Sequence, residues 1–187
     1  RGRRLHKDIQ EVLFSEERVG AVGPKVLSPD GDLEVSWGHE LGVIEEWRRR
    51  RQPNAQAGDF AFPARKVDVD WISGACILVK RAAWEAIGGF DEAFFLYFED
   101  IDLCMRLRKQ GWGVRFDPSA TVLHTRGHSA RQISPQVEIW YRMGQLRYYM
   151  KHKAGVEQQV LRLYLVLKYL VAWLRRHEPA GYILALV

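Results

Sequence analysis

Two cysteines in 187 residues are too few for a disulfide framework, so cross-links do not hold this chain together. Cys76 falls in an apolar strand-like run and Cys104 in an apolar helix-like run, which predicts buried, reduced thiols and agrees with a cytoplasmic compartment. Membrane-spanning length is also wanting. The apolar stretch from Leu163 to Leu174 is interrupted by Lys168 and falls short of the ~20 residues needed to cross a bilayer. Zinc-finger spacing, an RNP signature and a helix-turn-helix pattern are all missing. The net charge of +5 therefore has no nucleic-acid motif behind it, and no nucleic-acid partner is expected.

What remains is a globular composition with 47% hydrophobic residues, enough for one core plus an appendage. Charge is unevenly placed. Residues 131–187 carry nine Arg or Lys against three Glu, an excess of six that leaves the remainder one negative. Such a basic, apolar segment suits the anionic inner face of a cell membrane, as peripheral contact by an interfacial helix. A helix packed on its own domain or on a second subunit is the other reading. The terminal run GYILALV leaves open a longer apolar segment beyond it.

The chain is organised around Asp70 to His128. At its centre, FFLYFEDIDLCMRL (94–107) runs aromatic residues straight into Glu99, Asp100 and Asp102, with an apolar-periodic helix behind. Acids beside core-forming residues are costly unless a partner offsets the burial. One explanation is local: acids in a first helical turn are favoured by the helix dipole. The other is functional, with carboxylates at a pocket mouth facing a metal or a hydroxyl. A helix from Asp100 to Gln110 would climb about 15 Å. Gly111 to Gly113 turns the chain, and extended segments broken at Pro118 lead to His124. A strand of roughly five residues recovers the same length, which returns His124 to the level of Asp100.

These residues resemble the distal half of a family 2 glycosyltransferase, in the rhamnosyltransferase-like and galactofuranosyltransferase-like branch. The resemblance rests on Ser73-Gly74-Ala75, on GGFDE from Gly88 to Glu92, on F-x-x-Y-F-E-D-x-D-L, on Gly111-Trp112 and on H-x-x-x-H-S from His124 to Ser129. It covers about residues 15 to 150. It implies an α/β fold of the GT-A type followed by C-terminal amphipathic helices, inverting transfer from a nucleotide-diphospho-sugar, and a divalent cation, Mg²⁺ or Mn²⁺. Asp100 matches the family's catalytic base and His124 its metal ligand. Gly74 and Ala75 would lie beside the sugar, where no side chain could fit; a plain bulge is the alternative. The nucleotide-binding first half of the family domain, with its Asp-x-Asp motif, does not match here. Because the chain begins at Arg1 rather than Met, it is expected to be a truncated product, inactive alone. The expected organisation is an acceptor-side half-domain over 1–133 and a basic helical tail over 134–187.

Other segments follow from local signals. Arg1 to Glu17 reads as a helix, Val19 to Leu27 as a buried strand interrupted at Gly23-Pro24, and Leu33 to Gly38 as a short strand. Leu41 to Gly58 reads as a loop whose Arg48 to Arg51 block is either solvated or meets acceptor phosphate. Val67 to Val79 is a strand broken at Ser73 to Ala75, with Asp68 and Asp70 alternating toward the pocket. Trp71 is a stacking candidate for sugar, although tryptophan is more often core. Lys80 to Ile87 should be a helix ended by Gly88-Gly89. Helices are expected from Ser134-Pro135 and over Val156 to Arg176.

Inverting transfer needs a carboxylate to take the acceptor hydroxyl's proton and a cation to hold the departing diphosphate. Asp100 and His124 fit these roles, Glu99 is placed to contact acceptor hydroxyls, and Asp102 to anchor the helix or pair with Arg106. His128 is a weaker candidate. The expected partners are a nucleotide-sugar donor and a glycan or lipid-linked acceptor of cell-envelope synthesis. A metal-dependent hydrolase would need a second His/Asp cluster that the sequence does not show. A non-catalytic acceptor-binding or membrane-docking module is the remaining alternative.

Overall fold

The computed structural model describes residues 16–39, 42, 63–125, 135–175 and 183–187. Within them lie seven strands, β1 (Val19–Leu27), β2 (Leu33–Glu34), β3 (Trp37–Gly38), β4 (Val67–Asp68), β5 (Trp71–Ile72), β6 (Leu78–Val79) and β7 (Gly113–Leu123). Four helices accompany them, α1 (Arg81–Ile87), α2 (Glu99–Lys109), α3 (Pro135–His152) and α4 (Gly155–Leu174). The Arg48 to Arg51 block, His128 and residues 1–15 of the expected first helix lie outside the described residues; Glu17, the last residue of that expected helix, lies in a turn with Arg18.

The mixed sheet is built on β1 and β7, paired in parallel from Val19↔Gly113 to Leu27↔Leu123. β2 and β6 pair antiparallel to β1, and β4 antiparallel to β7. β1 is buried along nearly its whole length, as a parallel strand covered on both sides must be. It is continuous through Gly23-Pro24, where the sequence suggested an interruption. The irregularity appears instead as a register shift opposite Pro118 to Ala120, between Pro24↔Asp117 and Lys25↔Thr121. Proline offers no N–H to the ladder, and such a shift accommodates it.

Leu33 to Gly38 is not one strand but two. β2 joins the main sheet, whereas β3 pairs with β5 in a separate two-stranded ribbon. The Val67 to Val79 stretch likewise divides into β4, β5 and β6, with Gly74 and Ala75 in a turn. α1 ends at Gly88, whose φ of 72° makes it a left-handed cap that glycine adopts without a Cβ penalty.

α2 lies between two cores. Leu103, Cys104 and Leu107 pack with Ala21, Ile72, Val114 and Phe116 of the sheet. Met105, on another side of the helix, packs with Phe94, Phe98, Tyr148, Leu165 and Tyr169. The helical segment 135–175 thus has its own buried interface with α2. Both cysteines are free; Cys104 is fully buried, and burial pushes its thiol up to about 12.

Candidate functional site

The chain reaches α2 through strained backbone. Tyr97 and Phe98 have φ of 66° and 70°, a left-handed conformation costing about 1–2 kcal/mol per residue without glycine. Two such residues in succession mark a place over-determined by its surroundings. Phe98 is the N-cap of α2, its carbonyl accepts from Asp102 N–H at 2.8 Å, and its ring stacks against Tyr141 and Tyr148 of α3. Gly144 of α3 makes the contact possible. A Cβ there would sit 2.7 Å from the Tyr97 carbonyl oxygen and 3.2 Å from the Phe98 ring.

Behind this tip come the acids. Asp100 accepts through Oδ2 from Gly74 N–H at 2.7 Å and through Oδ1 from Ile101 N–H at 2.8 Å. Burial nevertheless raises its pKa, more than the hydrogen bonds from the Gly74, Ile101 and Asp100 amides lower it. Glu99 is also raised, first by burial and further by the charge of Asp100, against the lowering by its own amide. Its Oε2 is buried with no hydrogen-bond partner among the described residues. A buried acceptor left so is a place where a ligand hydroxyl would be stabilised.

Asp102 points the other way. Fully buried, it accepts from Arg106 Nε at 2.7 Å, His152 Nε2 at 2.6 Å and Lys151 Nζ at 2.7 Å. Burial alone would raise its pKa, but these three bonds outweigh that and hold it at about 2. Lys109 Nζ lies 3.0 Å from His152 Nδ1; with Nδ1 accepting from Lys109, Nε2 carries the proton donated to Asp102. Asp102 therefore ties α2 to the end of α3. The pairing with Arg106 was legible from the four-residue spacing, but the partners fifty residues on were not.

The structure brings Gly74 and Asp100 together and places Ala75 next in the same turn, its amide bonded to Ser73 Oγ at 3.2 Å. A Cβ on Gly74 would lie 3.5 Å from the Asp100 Cβ, an ordinary contact, so the protein around it leaves room for a methyl. Trp71 is 9% exposed, donates its indole N–H to the His39 carbonyl at 2.9 Å and covers Gly38. A ring so enclosed packs the core and offers no face for stacking on sugar. Asp68 is held by Arg115 at 2.9 Å and Asp70 by Arg108 at 2.7 Å.

His124 does not touch the acids. β7 is longer than the expected five residues and carries it beyond β1, where its amide donates to the Leu27 carbonyl at 2.8 Å and Nδ1 lies 2.9 Å from Glu34 Oε2. A continuous path still joins the two sites. Glu34 is two residues from Ser36, whose carbonyl accepts from Ser73 N–H at 2.8 Å, and Ser73 adjoins Gly74. With Nδ1 donating to Glu34, the lone pair of His124 lies on Nε2, the arrangement of a metal-ligating imidazole backed by a carboxylate. In this tautomer Nε2 is the ring nitrogen that has a lone pair to offer a cation. Among the described residues no group of three or more His, Cys, Asp or Glu could complete a metal site. Elsewhere, a cleft at the β1–β7 irregularity is lined by Lys25, Arg65, Lys66 and Ser119.

Residues 10–142 match the family model described as "Glycosyltransferase like family 2". The chain belongs to this glycosyltransferase family. Its mixed sheet and flanking helices are those of a GT-A type α/β domain. Among relatives, N-acetylglucosaminyl-diphospho-decaprenol L-rhamnosyltransferase of two Mycobacterium tuberculosis strains is 39% identical over 121 residues, covering 60% of this chain and 39% of that protein. Rhamnosyltransferase WbbL of Escherichia coli is 34% identical over 80 residues, 43% of this chain and 30% of that protein. O-antigen biosynthesis protein RfbC of Myxococcus xanthus is 29% identical over 142 residues, 71% of this chain and 11% of that protein. The chain therefore spans well under half the length of these relatives. No helix among the described residues of this family member is long and apolar enough to cross a membrane.

Proposed function

We propose that this chain carries the acceptor-side machinery of an inverting transferase. That enzyme would move a sugar from a nucleotide-diphospho-sugar to a hydroxyl of a lipid-linked glycan during cell-envelope synthesis. The observation that carries the reading is Asp100, a half-buried carboxylate whose proton affinity is raised by desolvation, fixed by the Gly74 amide behind a strained tip. A base for a hydroxyl proton gains from such desolvation because its conjugate acid becomes weaker. In this reading Asp100 takes the proton as the acceptor oxygen attacks the anomeric carbon opposite the leaving group. Glu99, beside it in the first turn of α2 and only partly buried, contacts a second acceptor hydroxyl and sets its orientation. A divalent cation, held in part by His124, would neutralise the departing diphosphate. The lipid-linked acceptor is supported by the decaprenol in the names of the mycobacterial relatives, and it sets the reaction at the inner membrane face.

The test is Asp100→Asn in a full-length protein that includes the nucleotide-binding half, assayed with nucleotide-sugar and lipid-linked acceptor. Turnover should fall about a thousandfold, in the 10²–10⁴ range of a lost general base, while donor binding is retained. Turnover within a few-fold of the parent would remove Asp100 from the role. Acceptor binding without turnover in the parent protein would favour the non-catalytic module.

A further inference from the structure

α4 buries one side and leaves the other apolar and bare. Leu161, Leu165 and Tyr169 are in the core. Val160, Leu163, Leu167, Leu170, Trp173 and Leu174 are between 42 and 69% exposed, and no exposed residue of α4 is charged. A contiguous face of this kind is an interaction site in a protein that stays in solution. The unpaired charges at its margin are basic. Arg147, Arg162 and Arg175 have no carboxylate partner among the described residues, and Arg162 rests on the Met150 sulfur at 3.8 Å. The acids of the hairpin are answered within it, Glu138 by Lys168 at 3.6 Å and Glu157 by Lys153 at 4.0 Å.

We propose that the outer face of the α3–α4 hairpin docks on an anionic bilayer, its leucines in the acyl boundary and its arginines on lipid phosphates. The acids of this hairpin are already engaged by its own lysines, so a second copy of the face would bring no free carboxylate from it to the arginines. Anionic headgroups supply that negative charge at about fivefold in affinity per basic residue. The face also leads to the acids. Arg142 Nε donates to the Tyr169 hydroxyl at 2.8 Å, which lays the end of α4 along the start of α3. There Trp140 stacks with Phe95 at 4.8 Å, four residues before Glu99. A bilayer against this hairpin would present a lipid-linked hydroxyl close to Asp100. The proposal rests on the lipid-linked acceptor of the preceding reading only for its purpose, and binding is measured without any substrate.

The experiment is co-sedimentation of the whole protein with phosphatidylglycerol or phosphatidylcholine vesicles, with size-exclusion chromatography alongside. The parent should bind phosphatidylglycerol and be released by salt. Leu167→Ser with Leu170→Ser should weaken binding about tenfold or more. The triple change Arg147→Gln, Arg162→Gln, Arg175→Gln should abolish the preference for the anionic lipid. Unchanged far-ultraviolet circular dichroism confirms that each variant folds. A parent that ignores both vesicles, or one that elutes as a dimer split by the leucine changes without binding lipid, overturns the proposal. Transfer to a soluble acceptor analogue separates the two readings, because it depends on Asp100 and not on these leucines.

Discussion

Replacing Asp102 by Asn removes one charge from a cluster that joins two helices, and the cost can be worked from its environment. The carboxyl sits at about 2 against 3.8 when unperturbed. At 1.36 kcal/mol per pKa unit this difference contributes about 2 kcal/mol to folding. Because the folded value is the lower one, that contribution is complete above the unfolded pKa and disappears as pH falls from about 4 toward 2. The amide also leaves Arg106 and His152, 17% and 2% exposed in their side chains, beside no negative charge. Breaking a buried pair in this way costs about 3–5 kcal/mol in all. Urea unfolding followed at pH 7 and again down to pH 2 reads both quantities. The variant should be weaker by that amount at neutral pH and should lose less stability than the parent on acidification, so that the curves converge. Parallel curves, or a loss under 1 kcal/mol at pH 7, would show that the cluster does not hold α2 to α3.

Gly144→Ala should cost about 1–3 kcal/mol by overpacking, since its methyl meets the Tyr97 carbonyl at 2.7 Å, and turnover should fall more than donor affinity; no change in either would detach α3 from the tip. Gly74→Ala, with its methyl at ordinary contact distance from Asp100, should cost under ~1 kcal/mol in the same unfolding assay. Because burial raises Asp100, kcat/KM should decline on acidification at a pH above the usual aspartate range, and Asp100→Asn should abolish that limb. Chelation should abolish transfer and Mn²⁺ or Mg²⁺ restore it, with His124→Ala raising the metal concentration required; an unaltered metal requirement would remove His124 from the ligand set.

The sequence was most legible where chemistry and spacing are local. The helix behind Glu99 and Asp100, the glycine cap at Gly88, the Asp102 to Arg106 pair and both later helices follow from periodicity within a few residues. Pairing over distance was not. The split of Leu33 to Gly38 between two sheets is decided by β5, more than thirty positions away. The same limit hid His152 and Lys151 as partners of Asp102. The left-handed backbone at Tyr97 and Phe98 was also invisible, because neither residue type favours it. Only Gly144, an apparently idle glycine inside α3, carries a trace of it. Trp71 shows the opposite error: placed beside the candidate site by the chain, its ring is claimed by the core.

The tip that presents Asp100 is not self-supporting. Two left-handed residues cost roughly 1–2 kcal/mol each, and contacts from outside the tip help to offset this. Burying the Phe98 ring returns about 2 kcal/mol, and it is buried against α3 and α4. The Asp102 cluster returns about 2 kcal/mol more, shared between Arg106 of α2 itself and Lys151 and His152 of α3. Much of the compensation comes from the helical segment beyond residue 134. The basic helices, though remote in sequence from the acids, are thus the scaffold that fixes the geometry of the candidate base. The contacts of the hairpin with Phe98 and Asp102 are therefore where its seating on a lipid surface would bear on the position of Asp100.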